Sequence, residues 1–131
     1  MSISEVYNGE PADIAAARRL AAELFSGLTR SGRPVSATVV ADVHLVVSEL
    51  VTNAVKHTRG LFGLDLRVAD DVVEIMVWDT SEEPVAAMTP DPARVGRHGL
   101  EIVTALCGGF KVAATPKGKR ITAQMALRPV A

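Results

Sequence analysis

Near Gly60 the spacing of apolar residues changes from a period of about 3.6 to a period of 2, and this switch fixes the class of fold open to the chain. Before it, Ile14, Ala17, Ala21, Leu24 and Leu28 recur at helical spacing behind Pro11 and Asp13, which suit a first turn, and predict a helix over residues 11–31. A break at SGRP (residues 31–34) precedes a longer stripe of Val39, Val43, Val46, Leu50 and Ala54, which predicts a second helix over 36–57. Beyond Gly60, Leu64, Leu66 and Val68 alternate with Asp65 and Arg67, and Val73, Ile75 and Val77 alternate with Glu74 and Met76. These are two half-buried strands joined as a hairpin at Asp70-Asp71. Residues 80–97, with Pro84, Pro90 and Pro92, read as a loop long enough to serve as a functional lid. A third helix over 98–107 turns Leu100, Val103 and Leu106 inward and stops at Gly108-Gly109. Strands over 110–115 and 120–127 close a second hairpin across the turn 116–119. Helices on one face of a mixed, mostly antiparallel sheet follow, an α+β two-layer sandwich. It is expected as a single domain over residues 11–131 behind an extension of residues 1–10.

Composition narrows the function. The 14 Lys+Arg nearly balance 15 Asp+Glu, giving a net charge of −1, which argues against nucleic-acid binding by bulk charge. The balance is uneven along the chain, because residues 94–131 hold 7 basic side chains and a single acidic one. Cys107 is the one cysteine, so no internal disulfide forms, consistent with a reducing compartment. No uninterrupted apolar run approaches the roughly 18 residues of a membrane span, and residues 1–11 lack the regions of a signal peptide. A cytoplasmic protein is the expectation. Phe25, Phe62, Phe110, Trp78 and Tyr7 are scattered and offer no stacking platform for bases.

Three polar clusters interrupt the apolar elements. In ELVTNAVKHT (residues 49–58), Glu49, Asn53 and His57 follow one another at i, i+4 and i+8 along one side of the second helix. A carboxylate and an amide one turn apart supply a general base and a hard oxygen ligand for Mg²⁺; the plain alternative is a solvated helix face. Asp79 continues the parity of Val73, Ile75 and Val77, so its carboxylate points toward the helices, either to cap a turn or to accept from a buried amino group. GRHGL (residues 96–100) places two glycines at a helix start, where free N–H groups favour an anion. Arg94, Arg97 and His98 lie close in sequence, with Lys117, Lys119 and Arg120 in the later turn. No G-x-x-x-x-G-K-[ST] phosphate loop is present.

In order, these clusters resemble the nucleotide site of the GHKL superfamily, the histidine-kinase-like ATPases. SELVTNAVKH is similar to its N-box, VWDTS to its first glycine box and GRHGLEIV to its second. The resemblance runs from Ala12 through nearly the whole chain and is nearest to the small stand-alone anti-sigma-factor serine/threonine-protein kinases. It implies a Bergerat-type ATP-binding fold. It also implies roles for single residues: Asn53 holding the Mg²⁺ that bridges the ATP phosphates, Glu49 as the base, and Asp79 accepting from the adenine 6-amino group. Ser81 belongs to the adenine-side box, and Gly96, Arg97, His98, Gly99 and Leu100 to the lid end and the phosphate-facing helix start. Lys56 and His57 stand where the family often carries basic residues. The threonine that backs the aspartate is either Thr122 or absent.

Two departures are plain. The family's D-x-G-x-G is Asp79-Thr80-Ser81-Glu82-Glu83 here, and a hydroxyl that usually follows a late glycine closely is delayed to Thr122. The implied partners are a sigma factor and a STAS-type anti-sigma-factor antagonist, with a homodimer as the working form. A non-catalytic, ATP-dependent binding module is the alternative. A fragment of a two-component histidine kinase is disfavoured because His44 lies inside the second helix and not on a separate dimerisation hairpin.

Overall fold

A computed structural model of the chain describes residues 1–58, 60–81 and 98–127. Strand β1 (Ser2–Tyr7) is followed by helices α1 (Ala12–Arg30) and α2 (Ala37–His57). The hairpin β2 (Phe62–Ala69) and β3 (Val72–Asp79), helix α3 (His98–Cys107) and the hairpin β4 (Lys111–Thr115) and β5 (Gly118–Ala126) complete the order. The five strands form one sheet in the order β1-β2-β3-β5-β4, and every neighbouring pair is antiparallel. Apolar parity explains the layering. Leu64, Leu66, Val73, Ile75, Val77, Ile121 and Ala123 lie on one face and are buried against Val43, Val46, Val47, Leu50 and Val51 of α2, Leu24 and Leu28 of α1, and Val103 of α3.

The helix ends follow local chemistry. Gly32, at φ 85°, takes the left-handed turn after α1. The Arg33 N–H then reaches the Leu28 carbonyl at 2.8 Å and the Gly32 N–H reaches Thr29 at 3.1 Å, a Schellman closure. The Arg33 guanidinium continues to the β2–β3 turn, pairing with Asp71 at 2.8 Å and donating to the Asp70 carbonyl. Ser36 caps α2 by accepting from the Val39 N–H at 3.3 Å. By length and composition α2 alone among the described helices could cross a membrane. Here it is the central helix of the core, packed on α1, α3 and β3.

Two features differ from the sequence expectation. Residues 1–10, expected as an extension ahead of the domain, contain β1, which pairs with β2 and brings Tyr7 into the core. Tyr7 alone of β1 is buried, so the strand has no apolar alternation to betray it. The second strand of the last hairpin begins at Gly118, not at residue 120, and the turn shrinks to Pro116 and Lys117. Gly118 explains the extension: a Cβ there would collide with the Asp79 carbonyl oxygen, so only glycine lets β5 follow β3 to its end.

Candidate functional site

On α2 the residues of the first cluster divide by depth. Glu49 and Asn53 are half-buried and one turn apart, beside the fully buried Leu50 and Ala54. Lys56 and His57 are exposed in the last turn, where positive charge complements the helix dipole. Helix α2 packs on β3, the strand that ends at Asp79.

At that end a single row of side chains crosses four strands on the helix-facing side: Tyr7, Phe62, Asp79 and Lys119 are successive cross-strand partners. The Tyr7 and Phe62 rings stack at 5.2 Å, and the row then turns from apolar to ionic. The Lys119 ammonium lies 3.1 Å from Asp79 Oδ2 and donates to Oδ1 at 3.3 Å, with side chains 2% and 4% exposed. The Ser81 N–H also donates to Asp79 Oδ1, at 3.0 Å. Thr80 Oγ1 donates to the Leu61 carbonyl at 3.0 Å and holds the start of β2 against the end of β3. Parity thus put Asp79 on the correct face, and its carboxylate meets a cation there.

Sequence reasoning missed that cation. The sequence groups Lys119 with Lys117 and Arg120 as positive charge near the phosphate-binding helix start, and the structure corrects this. Lys119 pairs with Asp79, whereas Arg120, one residue on, is exposed on the opposite face of the sheet. The signal was available, because Lys119 shares the parity of Ile121, Ala123 and Met125. Placing it in the turn hid that pattern.

Thr122 is also set apart from Asp79. It pairs with Met76 and lies on the outward face, in a groove of about 560 Å³ with Glu74, Lys111, Arg120 and Gln124. The structure therefore brings Asp79, Ser81 and Lys119 together and leaves Thr122 behind the sheet. Leu100 is a core residue, 4% exposed. His98 and Gly99 open α3, whereas Gly96 and Arg97 lie outside the described residues, as does most of the expected lid over 80–97. No cluster of three or more His, Cys, Asp or Glu suited to a metal occurs among the described residues.

The sequence matches the histidine kinase-like ATPase domain family over residues 7–125. No curated protein matches it. Among solved structures, the RsbU and RsbW domains of Rv1364c from Mycobacterium tuberculosis align with 99% of this chain and 34% of that chain, at 22% identity and a TM-score of 0.65. The histidine kinase domain of the blue-light-activated histidine kinase EL346 from Erythrobacter litoralis aligns with 87% of this chain and 60% of that one, at 20% identity and a TM-score of 0.55. Acinetobacter baumannii histidine kinase AdeS aligns with 97% and 68%, at 14% identity and a TM-score of 0.54. The chain thus spans about a third of the first of these proteins and three fifths of the second. At these identities the likeness speaks for the fold, and the family match extends it to sequence. The chain belongs to the histidine kinase-like ATPase domain family.

Proposed function

We propose that this domain binds Mg-ATP and transfers the terminal phosphoryl group to a serine or threonine of a partner protein, in the manner of an anti-sigma-factor kinase. The carrying observation is the family match together with Glu49 and Asn53 one turn apart and half-buried on α2, the helix that packs on β3. The residues fit the groups implied. A buried carboxylate at the end of β3 suits an exocyclic amino group, and Mg²⁺ commonly takes only one or two protein oxygens, its remaining sites going to water and phosphate. Bound Mg-ATP would supply the phosphoryl group and neutralise charge on its oxygens. Asn53 Oδ1 is the metal ligand in this reading, and the Glu49 carboxylate accepts the proton of the attacking hydroxyl. Gly96, Arg97, His98 and Gly99 complete the phosphate side, with Lys56 and His57 as basic neighbours.

The partners in this reading are a STAS-type anti-sigma-factor antagonist, which receives the phosphoryl group, and a sigma factor held inactive by a cytoplasmic homodimer. The RsbW domain among the aligned structures supports this branch of the family. Labelled γ-phosphate transfer to purified STAS-type proteins is the test. Wild type should label a serine or threonine, and Glu49→Ala should lose transfer while keeping its affinity for ATP in calorimetry. Equal transfer by the variant would remove Glu49 as the base. ATP binding without transfer to any such partner would favour the non-catalytic binding module, which the missing glycines after Asp79 also favour.

A further inference from the structure

The ion pair at the end of β3 keeps hydrogen-bonding capacity that the family pattern does not use. A carboxylate offers roughly four lone-pair sites. At Asp79, Lys119 and the Ser81 N–H both donate to Oδ1, while Oδ2 faces the ammonium at 3.1 Å and keeps acceptor capacity among the described residues. An ammonium has three N–H donors. On Lys119 one donates to Asp79 Oδ1 and the ammonium contacts Oδ2 as an ion pair, and at least one N–H has no partner among the described residues, although the side chain is 2% exposed. Side by side, therefore, the pair offers one free acceptor and one free donor. Its surroundings are not sealed on every side. Ala114, the cross-strand neighbour of Lys119 on β4, shares its face of the sheet and is exposed, so the helix layer ends there.

We propose that Lys119 is a base-reading residue: Asp79 accepts from the 6-amino group of adenine while Lys119 donates to the adjacent ring nitrogen N1. This rests on the ATP-binding reading above and adds to it a residue that the family resemblance did not assign. Adenine presents an amino donor next to an unprotonated ring nitrogen on its pairing edge, the complement of an acceptor beside a donor. Guanine presents a carbonyl and a ring N–H in those two positions, the reverse order, and so meets like against like in the same pose. Lys119 need not leave Asp79 for the base to bind, because the lone pair and the N–H used are those the ion pair leaves over.

The test compares ATP with 1-deaza-ATP, in which N1 is replaced by C–H, by calorimetric titration of the full chain. Wild type should bind the analogue at least tenfold more weakly than ATP. Lys119→Met should bind the two equally, because the donor that distinguishes them is gone. If that variant does not fold, the double variant Asp79→Asn, Lys119→Met, which leaves no buried charge, serves the same comparison and should also give a ratio near one. Equal binding of the two nucleotides by wild type, or discrimination that survives the loss of Lys119, overturns the inference and leaves ATP binding standing. Tighter ATP binding by Lys119→Met also overturns it, since Lys119 would then obstruct the base. A wild type that binds no ATP at millimolar concentration removes the proposed function itself, and the inference with it.

Discussion

Asp79 and Lys119 face each other directly across β3 and β5, and a 3.1 Å contact between Nζ and Oδ2 joins them out of solvent. A buried ion pair adds little over an apolar replacement, yet removing one member strands a charge in the core. Lys119→Ala should therefore lose about 4 kcal/mol of stability. Asp79→Leu, Lys119→Met should recover most of that loss. Denaturant midpoints for the two single variants and the double variant give the coupling directly, and additive losses would contradict a paired role.

Gly118 controls the same pair through the backbone. Any side chain there meets the Asp79 carbonyl, so Gly118→Ala must push β5 away from β3 or break the last rung of the ladder. A loss of about 3 kcal/mol is expected, the size of an overpacked core position. ATP affinity should fall with it, because Asp79 and Lys119 would separate. Thermal melting and nucleotide titration of this variant check both effects.

Tyr7 carries a stability cost that substitution can remove. Its ring is buried on Phe62, but its hydroxyl is enclosed without a partner among the described residues. Burial, with help from the Glu5 and Asp13 carboxylates, pushes its pKa above the ordinary tyrosine value. Tyr7→Phe should stabilise the protein by about 1 kcal/mol, since an unsatisfied hydroxyl no longer has to leave water. A rise in melting temperature of about 3 °C would show this.

His44 predicts a dependence on pH. On α2 it lies against Phe25, their ring centroids 6.2 Å apart, and burial together with the Arg18 guanidinium pushes its pKa below 6.5. Above pH 6.5 the imidazole is neutral in both the folded and unfolded chain and has no effect. As the pH falls below 6.5 the unfolded chain takes up a proton first, so stability drops. His44→Phe should flatten the melting-temperature profile between pH 6.5 and 5 relative to wild type. Parallel profiles for the two proteins would exclude His44 as a contributor.

Periodicity carried most of the fold. The stripes Ile14–Leu28 and Val39–Ala54 are α1 and α2, the alternation through Leu64–Val68 and Val73–Val77 is β2 and β3, and α3 spans His98–Cys107 as expected. Strand β1 was illegible because it sits at the sheet edge with Tyr7 as its sole buried residue, leaving no alternation to detect. At the site, parity alone oriented Asp79. Lys119 escaped because lysine in a glycine-containing turn reads as solvated charge, and its burial depends on a carboxylate 40 residues earlier that local pattern cannot connect to it. Thr122 offers the hydroxyl that the family pattern calls for, but strand parity sets it on the far face.

The strand order has a kinetic consequence for that pair. Asp79 belongs to the β2–β3 hairpin and Lys119 to the β4–β5 hairpin, each of which can form from local contacts. Only the junction of β3 with β5 brings them together, and it spans α3 and the segment before it. Closing that long loop must precede any reward from the ion pair. A chain with both hairpins formed but not yet joined would have nearly all its secondary structure and no base-reading pair. Recognition at this site therefore reports on the assembled sheet, and ligand capture during refolding would time the meeting of the two hairpins.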